Sequence, residues 1–164
     1  MKPDELRSLL ESFHQDKAAL RARHVAAARL VDDYNVNNTY QYVIAREDMH
    51  LGWLSAAIAD LGGTPPEVAP SDVRVQAQGR GDAAHKALFR EDADLAGALI
   101  DRWTGRLPAI TNARHRKMCQ VVLGETMEHR RFFQQAWEGR DDLLGRRTGG
   151  LSTGGGVLSE RWVE

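Results

Sequence analysis

Apolar positions recur at intervals of three and four along four separate stretches of the chain, the spacing of one face of an α-helix. The first stretch, about Pro3 to Asp33, sets Leu6, Leu10, Phe13, Lys17, Leu20, His24, Ala27 and Val31 on one stripe. Pro3 suits its first turn. The second, about Asn38 to Leu61, carries Tyr40, Val43, Glu47, His50, Leu54, Ile58 and Leu61. Asp33 to Asn38 supplies turn and N-cap chemistry between the two, and Gly62-Gly63 ends the second as a C-cap pair. The third runs from about Asp82 to Thr104 with Leu88, Leu95, Leu99 and Trp103 facing inward, and Gly105 and Pro108 punctuate a short turn after it. The fourth, about Ala109 to Glu138, has Met118, Val122, Glu125, His129, Phe132 and Ala136 on its stripe and ends at Gly139.

Between the second and third helices the helical pattern lapses. Thr64-Pro65-Pro66, Pro70 and Gly79-Arg80-Gly81 cannot continue a helix. The link is long for a compact bundle, and such links commonly carry a chain from one end of a four-helix protein to the other. The expected fold is all-α: residues 1–139 form a four-helix bundle with a long crossover between helices two and three. Residues 140–164 form a Gly-rich tail, in which Val157 to Val163 is apolar enough to dock.

Two of the stripes are interrupted by chemistry. Glu47 and His50 break the second, and Glu125 and His129 the fourth. A buried charge costs several kcal/mol unless it is paired or bound to a metal. Two interruptions of the same kind call for a shared explanation, and a metal site in the bundle core supplies one. The plainer reading is an internal Glu–His hydrogen bond with arginines around it.

Ala45-Arg46-Glu47-Asp48-Met49-His50-Leu51-Gly52-Trp53-Leu54, followed by Ile58 to Pro66 with its Leu-Gly-Gly-x-Pro ending, resembles the second helix of the ferritin-like superfamily of bacterioferritins, rubrerythrins and related di-iron carboxylate proteins. The crossover order adds to the resemblance, which covers about Leu6 to Glu138. Such proteins set one carboxylate on each of two helices and a Glu-x-x-His pair on each of the others. The resemblance therefore implies metal ligation by Glu47 and His50, and by Glu125 with either Glu128, in motif register, or His129, on the stripe. Glu91 or Asp92 would serve from the third helix. On the first, His24 falls where the family has Glu. The implied cofactor is a pair of iron ions, with manganese or zinc also acceptable to such donors, and the implied chemistry is reaction with oxygen or peroxide. Nothing matches rubrerythrin's Cys-rich module or the fifth ferritin helix, so a small oligomer is expected rather than a storage cage.

Composition narrows the rest. The chain has 164 residues, enough for one domain and a single core, with 42% hydrophobic and 27% charged residues. A net charge of −1 gives no basic field for nucleic acid, so Arg114-His115-Arg116-Lys117 and Arg130-Arg131 read as solvated faces. No apolar run reaches the roughly 18 residues that span a membrane, and the acid-bearing start has no signal-peptide core, so a cytoplasmic protein is expected. Cys119 is the single cysteine, a small packing residue. His14 and His115 lie off the stripes and are expected at the surface, and His85 reads as structural. Gly52 and Gly124, beside the two motifs, predict close helix approach. Trp53, Trp137 and Trp162 are available to a homodimer. The rival to a metal protein is a metal-free bundle with a structural or interaction role, its Glu47, His50, Glu125 and His129 forming a buried hydrogen-bonded network.

Overall fold

The computed structural model describes residues 1–67, Val73, Val75, 82–140, Leu143 and Leu144. The Gly-rich tail, its Val157 to Val163 segment with Trp162, and most of the link between the second and third helices lie outside the described residues. Among the described residues there are four α-helices, α1 (Pro3–Ala28), α2 (Tyr34–Asp60), α3 (Asp82–Thr104) and α4 (Ala113–Trp137), with one 3-10 turn, Leu107–Ala109, before α4. Among the described residues there is no strand, and no helix is long and apolar enough to cross a membrane.

Local chemistry sets the ends. Asp33 caps α2 by accepting from the Val36 N–H at 2.8 Å, so α2 begins at Tyr34, a turn earlier than the apolar pattern suggests. Asn37 then lies inside α2 and donates to the Ala28 carbonyl at 2.9 Å, closing α1 at Ala28 rather than at Asp33. Asn112 caps α4 at the His115 N–H, and Pro108 falls in the 3-10 turn, which delays α4 from Ala109 to Ala113. Both α2 and α4 end in Schellman motifs: Gly63 N–H donates to the Ile58 carbonyl and Arg140 N–H to the Gln135 carbonyl. The left-handed residues these require are Gly62 (φ 73°) and Gly139 (φ 91°).

α1 packs on α2 and α3 on α4, and the two hairpins meet through α1 against α3 and α2 against α4. α2 and α3 are diagonal and meet through long side chains, with Tyr40 reaching Phe89 and Asp92. The core is divided. Leu6, Leu10, Phe13, Leu54, Ile58, Leu99, Trp103, Ile110 and Val122 fill one end. Val31, Tyr40, Val43, Leu88, Phe89, Phe132 and Phe133 fill the other. The side chains between them are polar and come from all four helices: Lys17, His24, Glu47, His50, Asp92, Thr126 and His129, each buried.

Three expectations about facing are corrected. Leu95 is 40% exposed, because it lines a groove of about 490 Å³ between α1 and α3 with Leu20, Leu99 and Val73. His14 and His115 are buried, His14 in the α1–α2 seam with its Nε2 3.0 Å from Ser55 Oγ. Gly52 and Gly124 do not mark close helix approach: both are exposed, and a Cβ at either would meet nothing within 4 Å. Of the helical glycines, Gly97 is the one with a neighbour in reach: a Cβ there would lie 3.1 Å from the Cζ of the Arg130 side chain.

Candidate metal centre

Glu47 and His50 share α2's inward face but point to different neighbours. Glu47 turns toward α1, where Lys17 Nζ donates to Oε1 at 2.8 Å and His24 Nδ1 lies 2.9 Å from Oε2. Both carboxylate oxygens are therefore taken by protein donors. Lys17 and Glu47 are each 0% exposed, and the ammonium also reaches Thr126 Oγ1 on α4 at 3.3 Å. Thr126 in turn donates to the Val122 carbonyl at 2.8 Å. Burial raises the Glu47 carboxyl's pKa, but the charges of His24 and Lys17 and their hydrogen bonds more than offset this and hold it at about 2.

His50 turns toward α4, where its Nε2 lies 2.8 Å from Glu125 Oε2. Glu125 is held on its other side by Arg46, whose Nε and Nη2 reach its two oxygens at 2.8 and 2.5 Å, a bidentate fork. The Arg46 guanidinium also lies 5.9 Å from the Trp53 ring. The Arg46 hydrogen bond, working against partial burial, sets the Glu125 carboxyl below the usual range, with His50 adding to the effect. Burial lowers the His50 pKa, Lys17 lowers it further, and the bond to Glu125 opposes both.

Asp92 is the α3 member. Arg23 Nε donates to its Oδ1 at 2.8 Å and the Tyr40 hydroxyl donates to its Oδ2. Burial and the adjacent Asp92 charge push the Tyr40 phenol well above its ordinary range, so it remains a donor. Glu91 is exposed and lies 2.9 Å from Arg23 at ion-pair distance. Glu128 is also exposed, on a surface groove with Tyr42 and Arg131, while His129, one residue on, is fully buried. His129 stacks 6.1 Å from His50, and burial drives its pKa down to about 3, so it stays neutral.

The expected residues are thus distributed over three carboxylate centres. Glu47 and His24 share one, His50 and Glu125 a second, and Asp92 with Glu91 flanks the Arg23 of a third. Sequence reasoning placed Lys17 on the inward stripe without giving it a role, and it gave no role to Arg46, Arg23 or Thr126. The available signal was Lys17 itself, a cation between Phe13 and Leu20 on an apolar face.

A di-metal carboxylate centre needs carboxylate lone pairs free to converge on shared cations. In this layer Glu47, Glu125 and Asp92 each give at least one oxygen to a different protein cation, and the second oxygen of Glu47 is taken by His24 and that of Asp92 by Tyr40. Among the described residues, no group of three or more His, Cys, Asp and Glu side chains is arranged to hold a metal ion. The donor set in this arrangement does not fit a pair of metals. No protein-family model, curated protein or solved structure matches the chain.

Proposed function

We propose that this chain is a ferritin-like four-helix bundle that stabilises its central layer with its own cations and serves as a structural or protein-interaction module. The observation that carries this reading is the compensation pattern, with Lys17 on Glu47, Arg46 on Glu125 and Arg23 on Asp92. Protein cations there perform the electrostatic task that metal ions perform in di-iron carboxylate bundles. The ferritin-like part of the proposal rests on the helix order. Arg23 reaches Asp92 while Asp16 reaches Trp103, so α1 opposes α3. Lys17 reaches Glu47 while His14 reaches Ser55, so α1 also opposes α2. Helices α2 and α3 then run in the same direction, as a crossover between them would require.

The surface suited to interaction is the outer face of α2. Tyr42, Ala45, Met49, Gly52, Ala56 and Ala59 are all exposed there and carry no charge. A two-fold axis between His50 and Leu51 sets Tyr42 opposite Ala59, Ala45 opposite Ala56 and Met49 opposite Gly52 of a second copy. Each large residue meets a small one, the self-complementarity that an isologous dimer needs. On this reading wild type sediments as a dimer and Met49→Arg as a monomer. A monomeric wild type at micromolar concentration overturns the dimer.

One observation favours a second reading, the iron or manganese protein that reacts with oxygen or peroxide. His24 Nε2, His50 Nδ1 and both nitrogens of His129 are buried without a hydrogen-bond partner, and each neutral imidazole has one nitrogen lone pair of the kind that metals take. Metal would enter this layer only after Lys17 and Arg46 leave their carboxylates. Elemental analysis of protein purified without a nickel column, with melting curves in iron, manganese and chelator, separates the two. A metal-free protein indifferent to all three supports the first reading. Stoichiometric metal that is lost in Glu47→Gln supports the second.

A further inference from the structure

Between α1 and α3, on the side of the bundle opposite the α2–α4 seam, the groove of about 490 Å³ is built from two stripes with the same plan. On α1 the order is Asp16, Ala19 and Leu20, then Arg23; on α3, which runs the other way, it is Arg102, Leu99 and Ala98, Leu95, then Glu91. Each stripe is apolar in the middle and charged at its ends, at the spacing of one helix face. The charges pair across the groove. Arg102 Nη1 donates to Asp16 Oδ1 at 3.0 Å at one end, and Arg23 Nη2 lies 2.9 Å from Glu91 Oε2 at the other. The short side chains of Ala19 and Ala98 leave the middle open, so Leu95 stays exposed in an apolar wall, and Val73 completes the lining.

We infer that this groove binds a linear aliphatic carboxylate, its tail along Leu20, Leu95 and Leu99 and its head on Arg102. The inference goes beyond the reading above, because it depends neither on metal in the central layer nor on the outer face of α2. The two ends differ in what they offer an anion. Arg23 is buried and already faces two carboxylates, Asp92 at 2.8 Å and Glu91 at 2.9 Å, so that end rejects a third. Arg102 is 51% exposed and spends only Nη1, on Asp16; among the described residues the rest of its guanidinium has no hydrogen bond or ion pair. Asp16 keeps the Trp103 indole N–H, at 2.8 Å, when Arg102 turns to a ligand. Arg106, 5.1 Å from the Trp103 ring, adds a second cation near this end. An exposed ion pair is weak, whereas a guanidinium that forks onto a carboxylate makes two charge-assisted bonds. The helix from Asp16 to Arg23 spans about 10 Å, which sets the tail at about eight carbons, and the volume is that of a small-molecule site.

The test is a titration of the full chain with sodium octanoate, followed by amide and indole NMR, with acetate and octylamine in parallel. Wild type is expected to show saturable shifts at the Trp103 indole N–H and at the amides of Leu20, Leu95 and Leu99. Acetate is expected to give none. Octylamine should bind about ten-fold more weakly or worse, since it meets Arg102 with a like charge. Arg102→Gln should weaken octanoate by about ten-fold, the loss of a charged hydrogen-bond partner. Leu95→Glu should abolish binding, and Ala98→Leu, which fills the groove from an exposed position, should do the same if Leu95→Glu does not fold. Absence of saturable shifts through the millimolar range overturns the inference, as do shifts centred on the outer face of α2. Octylamine binding as tightly as octanoate, or undiminished octanoate binding by Arg102→Gln, overturns the placing of the head. The dimer and the metal-free layer are read separately, by sedimentation and elemental analysis, and survive any of these failures.

Discussion

The two sides of α2 present the same chemical arrangement in different solvents. On the α1 side, Glu47 meets one cation and one imidazole at zero exposure. On the α4 side, Glu125 also meets one cation and one imidazole, but its side chain is 23% exposed and that of Arg46 26%. Water strengthens or weakens these trios more than their distances do, which differ by only tenths of an ångström. A buried pair is costly to assemble and costly to break, whereas a pair at the surface is cheap in both directions. The difference assigns the two trios separate roles: the Glu47 trio commits the fold, and the Glu125 trio closes the seam over it.

The sharpest way to break this comparison is to remove one cation from each side. Lys17→Met should cost about 3–5 kcal/mol in urea unfolding, the usual effect of orphaning a buried charge. Lys17→Met with Glu47→Leu should recover most of that loss, since an apolar pair of similar volume removes the orphan. A double variant as unstable as the single one would mean that Lys17 acts through packing rather than charge.

Acid should act next. Burial holds His129 near 3 against an ordinary value of 6.5, so the unfolded chain binds the proton first. The stability that neutral His129 contributes is complete above pH 6.5 and falls steadily as pH drops toward 3. Between pH 7 and 5 this amounts to about 2 kcal/mol, with His14 and His50, also lowered, adding in the same direction. Glu47 continues the loss between its ordinary value of 4.5 and about 2, since its depressed pKa favours the ionised native form. Urea midpoints measured across this range should slope from the histidine region downward, and His129→Leu should flatten the upper part.

The smallest effects belong to the solvent-touched side. Arg46→Ala should cost about 0.2–1 kcal/mol, the range for exposed pairs. One molar salt should erase most of that difference, because the Debye length is then about 3 Å, while leaving the Lys17→Met loss unchanged. Equal salt sensitivity on both sides would erase the distinction between them.

The number and type of helices were legible in the sequence because periodicity is a local property. Glu47, His50 and His129 lie on apolar stripes, and the structure buries all three. Which carboxylate faces which cation was not legible, because it depends on the register between helices. Nothing near Glu125 in sequence announces Arg46, which arrives from α2 across the seam. Lys17 could be read as an inward residue, but a lysine stem on an apolar stripe commonly snorkels to water, and only the packing of three helices around its tip prevents that here. Gly52 and Gly124 misled for a related reason. A helical glycine signals something at the backbone, but only a neighbour's position tells whether the space is filled, and it is filled at Gly97 instead. His14 was misjudged because the α1–α2 seam reaches beyond the stripe that its hydrophobic neighbours define.

The division of the core has a consequence for how the chain assembles. Each hairpin is joined by a short turn, whereas the hairpins recognise each other through Arg23–Asp92, Tyr40–Asp92, Lys17–Thr126 and the Arg46–Glu125–His50 trio. These bonds are a register mark: a slip of one helical turn, about 5.4 Å, separates donors from acceptors, and at Lys17 and Asp92 leaves fully buried groups without partners. Apolar ends alone would tolerate such a slip, since one Leu replaces another at little cost. The two hairpins are accordingly halves with a keyed joint, and the expected order is local contacts first and the keyed docking last. A chain cut within the link between α2 and α3 should still bring its two pieces together in the native alignment.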